Sequence, residues 1–315
     1  MHGAAEASSE SIGFIGLGAL GAPMATNLLT AGFPLTLHNR SRQREAVLLK
    51  RGTAAAATPA EVARRSSILC LCLSDDAAVE AVLLGDDSAA CDGASKAAIH
   101  GLQPGSLLID FSSISPASTR RLAQRLAAAG VAWLDAPVTG GTEGARAGTL
   151  SVLVGGEAAD LERARPLLEV IGGRITHLGP LAAGQQAKAV NQVLVAGSYG
   201  AVAEALALGQ RLGLPMEQLV EALQDGAAGS WALTHRSGHM LNGQHPLGFR
   251  LALHRKDLAI ALETAAGVDL ELPISLRIAE LEDELIARGH GDEDVSALAH
   301  WFRAAGDPPT TQYQP

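Results

Sequence analysis

The stretch Ile12-Gly13-Phe14-Ile15-Gly16-Leu17-Gly18-Ala19-Leu20-Gly21 runs straight into the helix-like segment Ala22–Ala31. Its first four residues read as a short buried strand, and Gly16 to Gly21 spell G-x-G-x-x-G between that strand and the helix. Gly16 permits a tight turn, Gly18 admits a pyrophosphate to the backbone, and Gly21 lets helix and strand pack closely. The helix start offers free N–H groups and a positive dipole to an anion. In a chain of 35 glycines the motif alone is weak, but the strand before it and the helix after it supply the context it needs. Gly16, Leu17, Gly18, Ala19, Leu20 and Gly21 are therefore read as a dinucleotide cradle.

Outward from the cradle, short apolar runs alternate with helical ones up to about residue 179. Strands are predicted at Leu35–His38, Ile68–Leu73, Leu107–Asp110, Val131–Asp135, Leu150–Val154 and Ile175–Leu178, and helices at Ser115–Ala129 and Ala158–Ile171. Apolar strands separated by helices imply a parallel sheet covered on both faces. Beyond Gly184 the pattern changes to Ala, Leu and Val without proline as far as Pro215, which predicts one helix over Gly184–Leu212 of about 40 Å. Further helices are expected at Met216–Leu223, Lys256–Ala266, Ser275–Arg288 and Asp294–Ala305, with no strand. The fold class is α/β: a Rossmann-type doubly wound domain over residues 11–182, a long interdomain helix, and an all-helical domain over 183–306.

The 315 residues carry 24 Lys+Arg against 33 Asp+Glu, a net charge of −9 without a basic block, so neither nucleic acid nor an anionic membrane is an expected partner. Hydrophobic residues make up 47% and charged ones 18%, enough for packed cores. Cys70, Cys72 and Cys91 cannot build a disulfide framework, and the first two sit in an apolar run as small buried hydrophobes. Met1 to Glu10 lacks the basic and apolar regions of a signal peptide. Lys188, Asn191, Gln192, Glu204, Gln210 and Arg211 interrupt the long apolar stretch, against a simple membrane span. A cytoplasmic protein is expected. The long helix is apolar on more than one face, which fits burial in its own domain and in a homodimer or homotetramer interface. The ten histidines are scattered and no cysteine cluster stands at ligand spacing, so no metal is expected.

The second strand ends in Leu37-His38-Asn39-Arg40-Ser41-Arg42. Asn39 stands where an NAD site carries an acid for the ribose 2′-hydroxyl, and Arg40 follows it. A guanidinium would clamp a 2′-phosphate, so Asn39, Arg40 and Ser41 are read as cofactor-binding. NADP(H) is preferred and NAD(H) stays possible; the plainer reading of Arg40 and Arg42 is solvated loop charge.

Read with the cradle, three further stretches resemble the β-hydroxyacid dehydrogenase family from about Ile12 to Ala305. Asp135-Ala136-Pro137-Val138-Thr139-Gly140-Gly141 resembles the substrate loop, with Thr139 for the usual Ser. Gly184-Gln185-Gln186-Ala187-Lys188-Ala189-Val190-Asn191-Gln192 resembles the catalytic helix, and Phe249 with Lys256-Asp257-Leu258 resembles F-x6-K-D-L. Asp110-Phe111-Ser112-Ser113 resembles the strand-end D-x-S-T, with Ser113 for the Thr that touches the cofactor.

The resemblance implies substrate binding by Thr139, Gly140, Gly141, Asn191, Gln192, Phe249 and Asp257, and cofactor contact by Lys256. It makes Lys188 catalytic: a proton donor in carbonyl reduction and an acceptor in hydroxyacid oxidation. The Asn191-Gln192 order is closest to the tartronate semialdehyde reductase type. It differs from the His-Asn of 6-phosphogluconate dehydrogenases, and Lys188 argues against an imine reductase. The implied activity is interconversion of a short β-hydroxy acid and its semialdehyde, on a small carboxylate-bearing substrate, with hydride passing across an interdomain cleft. Glyoxylate and succinic, tartronate and methylmalonate semialdehydes all stay open. Gly229-Ser230-Trp231 also has the family's look of a segment closing over substrate. The rival from another class is a dinucleotide-binding scaffold or sensor without turnover.

Overall fold

The computed structural model describes residues 10–85 and 96–302; Cys91 lies outside them. By internal contacts the chain divides into two units, Met1–Lys188 and Ala189–Pro315.

The first unit is built on strands β1 (Ile12–Ile15), β2 (Leu35–His38), β3 (Ala54–Ala55), β4 (Ile68–Leu71), β5 (Leu107–Asp110), β6 (Ala132–Asp135), β7 (Val138–Thr139), β8 (Leu150–Gly155) and β9 (Gly172–Gly179). Its helices are α1 (Gly21–Thr30), α2 (Ala46–Leu49), α3 (Pro59–Arg64), α4 (Asp76–Leu83), α5 (Pro116–Ala127), α6 (Gly141–Ala147), α7 (Ala158–Ile171) and the start of α8 (Ala183–Arg211). The strand order is β3-β2-β1-β4-β5-β6-β8-β7, with β9 on β8. From β3 to β6 every pairing is parallel, the doubly wound order, with the chain reversing direction across the sheet at β1 and β4.

The sheet is not parallel throughout. β8 runs antiparallel to β6 and β7, because the Pro137–Gly141 segment folds back along β8 instead of crossing over a helix. β1 and β4 are buried along their whole length, as central strands with two covered faces must be. Alternate side chains feed two cores: Phe14, Leu37, Ile109 and Leu134 on one face, and Ile15, Leu69, Leu71, Leu108 and Trp133 on the other.

The sequence reading misses α2, α3, α4 and α6, which are short, and the two-residue strands β3 and β7. Local capping nevertheless fixes α3: Thr58 Oγ1 accepts from Glu61 N at 3.2 Å, Glu61 Oε2 accepts from Ala57 N at 2.7 Å, and Pro59 takes the first helical position.

The second unit is helical: the rest of α8, then α9 (Met216–Leu223), α10 (Trp231–Asn242), α11 (Leu251–Ala266), α12 (Pro273–Ala287) and α13 (Ala299–Phe302). Tyr199, Leu233, Leu258, Leu285 and Leu298 lie in its core. Helix α10 was not foreseen, and α11 starts five residues earlier than Lys256. The expected helix Asp294–Ala305 is instead a 3-10 turn over Val295–Leu298 followed by α13. Asp294 causes the break. Its carboxylate accepts from Ser296 N, Gly248 N and Phe249 N, so it caps the turn and ties it to the loop before α11. By length and composition alone α8 could cross a membrane; 44% of its most apolar window is buried inside the protein.

Candidate active site

In the first unit the chain leaves β1 through Gly16, whose φ of +101° is a left-handed backbone. A Cβ there would stand 2.2 Å from Cys72 O, and one on Gly21 would stand 2.0 Å from Gly16 O. These glycines are set by close packing. Gly18 differs: no atom lies within 4 Å of where its Cβ would be. Helix α1 opens with no side-chain cap and no acid in its first turn, so its N–H groups face an anion without a competing carboxylate. The residues present fit the pyrophosphate of a dinucleotide.

Asn39 braces this loop. Its Oδ1 accepts from Leu17 N at 2.8 Å and its Nδ2 donates to Ser41 O, while Arg40 and Ser41 stand exposed beyond it. A carboxylate does lie nearby: buried Glu45 accepts from Asn39 N at 2.7 Å and pairs with Arg42 at 3.0 Å. Sequence reasoning missed Glu45 because it comes from the turn after β2 and not from the strand end.

Asp110 and Asp135 are opposite each other in register at the ends of β5 and β6. Asp135 is the anchor of α8. Its Oδ1 accepts from Ala182 N at 2.7 Å and its Oδ2 from Gln185 N at 2.8 Å, holding Ala182 at a φ of +76°. Gly184 is required there, since a Cβ would meet Leu153 O at 2.3 Å and Asp135 O at 2.7 Å. Buried Gln185 continues the tie, donating to Ser112 O and accepting from Ile114 N. Its signal in the sequence was its place at the head of the Gly184–Gln192 motif. Ser113, half-buried, follows directly in the same loop.

One turn further along α8, the buried Lys188 donates through Nζ to Val138 O at 3.0 Å. Val138 is followed by Thr139, Gly140 and Gly141, the last two at φ +130° and +64°. The ammonium is thus fastened to the glycine loop by a backbone carbonyl, and both are positioned by Asp135.

Burial pushes Asp135 above its ordinary value, against the backbone N–H groups of Gln185 and Ala182. Burial also lifts Asp110 from 3.8 to about 7; hydrogen bonds from Ser112 oppose this, and the charges of Asp135 and Asp76 add to it. An acid whose folded value is raised keeps its proton in the folded chain while the unfolded chain ionises. Its stability contribution is therefore full below pH 3.8 and lost as pH rises to about 7. Asp110→Asn is expected to flatten the melting-temperature profile over that window relative to wild type, and an unchanged profile would contradict it. Burial raises both thiols in the apolar run, Cys72 to about 12 with help from Asp110; Cys70 is buried as expected, whereas Cys72 is only half-buried.

In the second unit, Gln192 Nε2 donates to Asp257 Oδ2 at 2.8 Å, and Asn191 Nδ2 donates to Gln192 Oε1 at 2.7 Å. Lys256 Nζ lies 2.6 Å from Asp257 Oδ1. Four of the predicted residues are thus joined in one polar chain, with Asp257 and Gln192 buried. Phe249 comes from the loop before α11. Its ring meets His254 edge-on at 5.6 Å, and His254 is itself buried against Glu282 at 2.5 Å, a pair not foreseen. Gly229-Ser230-Trp231 begins α10, with Ser230 Oγ accepting from Leu233 N as its cap.

A doubly wound domain with a glycine cradle, a long helix with a lysine near its head, and a helical unit after it define a class of nicotinamide-dependent oxidoreductases. Residues 11–179 match the family described as the NAD binding domain of 6-phosphogluconate dehydrogenase, and residues 182–302 match the NAD-binding family of NADP-dependent 3-hydroxyisobutyrate dehydrogenase. The 2-hydroxy-3-oxopropionate reductase of Escherichia coli is 39% identical over 91% of this chain and 95% of its own. The NAD-dependent L-serine dehydrogenase of Pseudomonas aeruginosa is 36% identical over 93% of this chain and 98% of its own. Among solved structures, the 3-hydroxyisobutyrate dehydrogenase of Mycobacterium tuberculosis with L-serine is 31% identical, covering 94% of this chain and 99% of that one at a TM-score of 0.80. The chain belongs to the β-hydroxyacid dehydrogenase family and is an NAD(P)-dependent oxidoreductase acting on hydroxyl groups.

Proposed function

We propose that this protein is an NADP(H)-dependent reductase of short semialdehydes or 2-oxo acids, interconverting them with the hydroxy acids, and that Lys188 moves the proton. The observation that carries this reading is the bond from Lys188 Nζ to Val138 O, which sets a buried ammonium beside the Thr139-Gly140-Gly141 loop. The nicotinamide, when bound, supplies the hydride for reduction or accepts it in oxidation.

The chain's own residues do the rest. The Thr139 hydroxyl and the backbone N–H groups around Gly140 and Gly141 hold the substrate carboxylate, with no Cβ at the two glycines to obstruct it. The Lys188 ammonium polarises the carbonyl and gives its oxygen a proton during reduction; in oxidation the amine takes that proton back. Asn191 and Gln192 orient the substrate from the same helix, and Asp257 and Lys256 keep the Gln192 amide in one rotamer. Phe249 lines the substrate side, and Ser113 and Lys256 contact the cofactor. The test is turnover of short carbonyl compounds that carry a carboxylate.

The choice of NADP(H) rests on Arg40, exposed past the braced Asn39, with the Glu45 carboxylate occupied by Arg42 and Asn39 N. Arg40→Ala is expected to weaken NADPH binding by roughly tenfold or more, the loss of a charge-assisted contact, and to leave NADH binding unchanged. Equal effects on both, measured by titration calorimetry, would assign Arg40 to the solvent.

The same reading includes a homo-oligomer. Val190, Leu194 and Leu208 share one face of α8, Leu212 continues it just past the helix end, and each is at least 60% exposed. A stripe of that kind favours a second copy of the chain, and light scattering measures it.

A further inference from the structure

The second unit gathers three histidines and a glutamate that the reaction above does not use. His245 lies in the loop after α10, His290 and Glu293 in the loop after α12, and His300 on α13. Glu293 Oε2 is 2.9 Å from His300 Nε2, and its Oε1 is 2.9 Å from His290 Nδ1. The His245 ring stands edge-on to His300 at 4.5 Å, and His290 stacks on His300 at 4.3 Å. One ligand atom each from His245, Glu293 and His300 fall within 4.8 Å of one another, and all three residues are half-buried.

The surroundings orient these donors as outer-shell partners orient metal ligands. His245 Nδ1 is 2.9 Å from Ser296 Oγ, which assigns ligation to Nε2, and Ser296 N is in turn held by Asp294 Oδ1. His290 takes the second oxygen of Glu293. Two imidazoles and a carboxylate suit a borderline transition-metal ion, whereas calcium and magnesium call for all-oxygen shells.

We propose that His245, Glu293 and His300 bind a divalent transition-metal ion of the zinc type, with water completing a tetrahedron. Bond lengths of about 2.0–2.2 Å require only that the three donors close in by side-chain rotation. The ion would have a structural consequence. Gly248 N and Phe249 N donate to Asp294, and Leu251 N donates to Glu293 O, so the loop bearing Glu293 already frames the entry to α11. Joining His245 to Glu293 and His300 clamps both sides of that entry and fixes the helix that presents Lys256 and Asp257. The spacing escapes a sequence search because the ligands come from three separate segments and no pair is four residues apart.

The test uses the full-length, tag-free protein stripped with a chelator. One equivalent of Co²⁺ is expected to give the visible absorption of a four-coordinate N/O site, and one equivalent of Zn²⁺ is expected to raise the melting temperature and displace the cobalt signal. His245→Gln and His300→Gln should each weaken Zn²⁺ by roughly tenfold or more, while His100→Gln, in the other unit, leaves affinity unchanged. Absence of the cobalt bands in the wild-type protein would overturn the proposal without reliance on any variant. So would equal Zn²⁺ affinity in wild type, His245→Gln and His300→Gln.

Discussion

Lys188→Ala is expected to lower kcat by on the order of 10²–10⁴-fold while dinucleotide affinity stays at the wild-type value. The ammonium is buried, bonded to Val138 O at 3.0 Å, and delivered there by a helix whose first turn is capped by Asp135. Its removal takes away both the polarising charge and the proton. The Gly16–Gly21 cradle is untouched, so binding of the dinucleotide survives. Folding survives too, because the variant orphans one carbonyl, a cost of about 1–3 kcal/mol. Lys188→Arg should not restore the rate, since a planar fork cannot take the place of a compact ammonium held at one carbonyl. Stopped-flow or steady-state rates beside a binding titration separate the two quantities. Wild-type kcat in Lys188→Ala would remove the proton-transfer role.

The second large effect separates two glycines of one motif. In Gly21→Ala the new methyl would stand 2.0 Å from Gly16 O, a backbone atom that cannot move without dragging Gly16 from its left-handed turn against Cys72 O. A loss of about 3 kcal/mol or more is expected, the upper range for overpacking, together with loss of dinucleotide binding. In Gly18→Ala the methyl meets nothing, so the melting temperature should stay at the wild-type value. Dinucleotide affinity should nonetheless fall by roughly tenfold or more, because that methyl fills the space a pyrophosphate needs against the backbone. Thermal melts and NADPH titrations on both variants give the comparison. Undiminished binding in Gly18→Ala would place the phosphates elsewhere.

The parts of the molecule legible in the sequence are those with a local signature. The cradle announces itself by a glycine pattern between a strand and a helix, and α8 by a long run of helix formers, found within a residue of its expected ends. What stayed hidden depends on chain segments far apart. Asp135 was read only as part of a substrate loop, yet its carboxylate caps a helix 47 residues later. Gln192 and Asp257 are 65 residues apart, and nothing in either segment signals that one amide will donate to the other. Strand β7 and helix α6 are too short for periodicity to register, although they shape the Thr139 loop. Asp294 turns the start of a predicted helix into a 3-10 turn, because its side chain is drawn to backbone N–H groups 45 and 46 residues earlier.

The most direct test of the central claim is the initial rate of nicotinamide oxidation by the purified protein. NADPH and NADH would be compared on a panel of short carbonyl compounds, each with its carboxylate free and as the methyl ester. Turnover with NADPH on at least one semialdehyde or 2-oxo acid is expected, faster than with NADH and abolished by esterification, since the ester gives Thr139, Gly140 and Gly141 no anion to hold. Tight NADPH binding with no hydride transfer to any member of the panel would contradict the reductase reading. Equal rates on acid and ester would contradict the place given to the carboxylate.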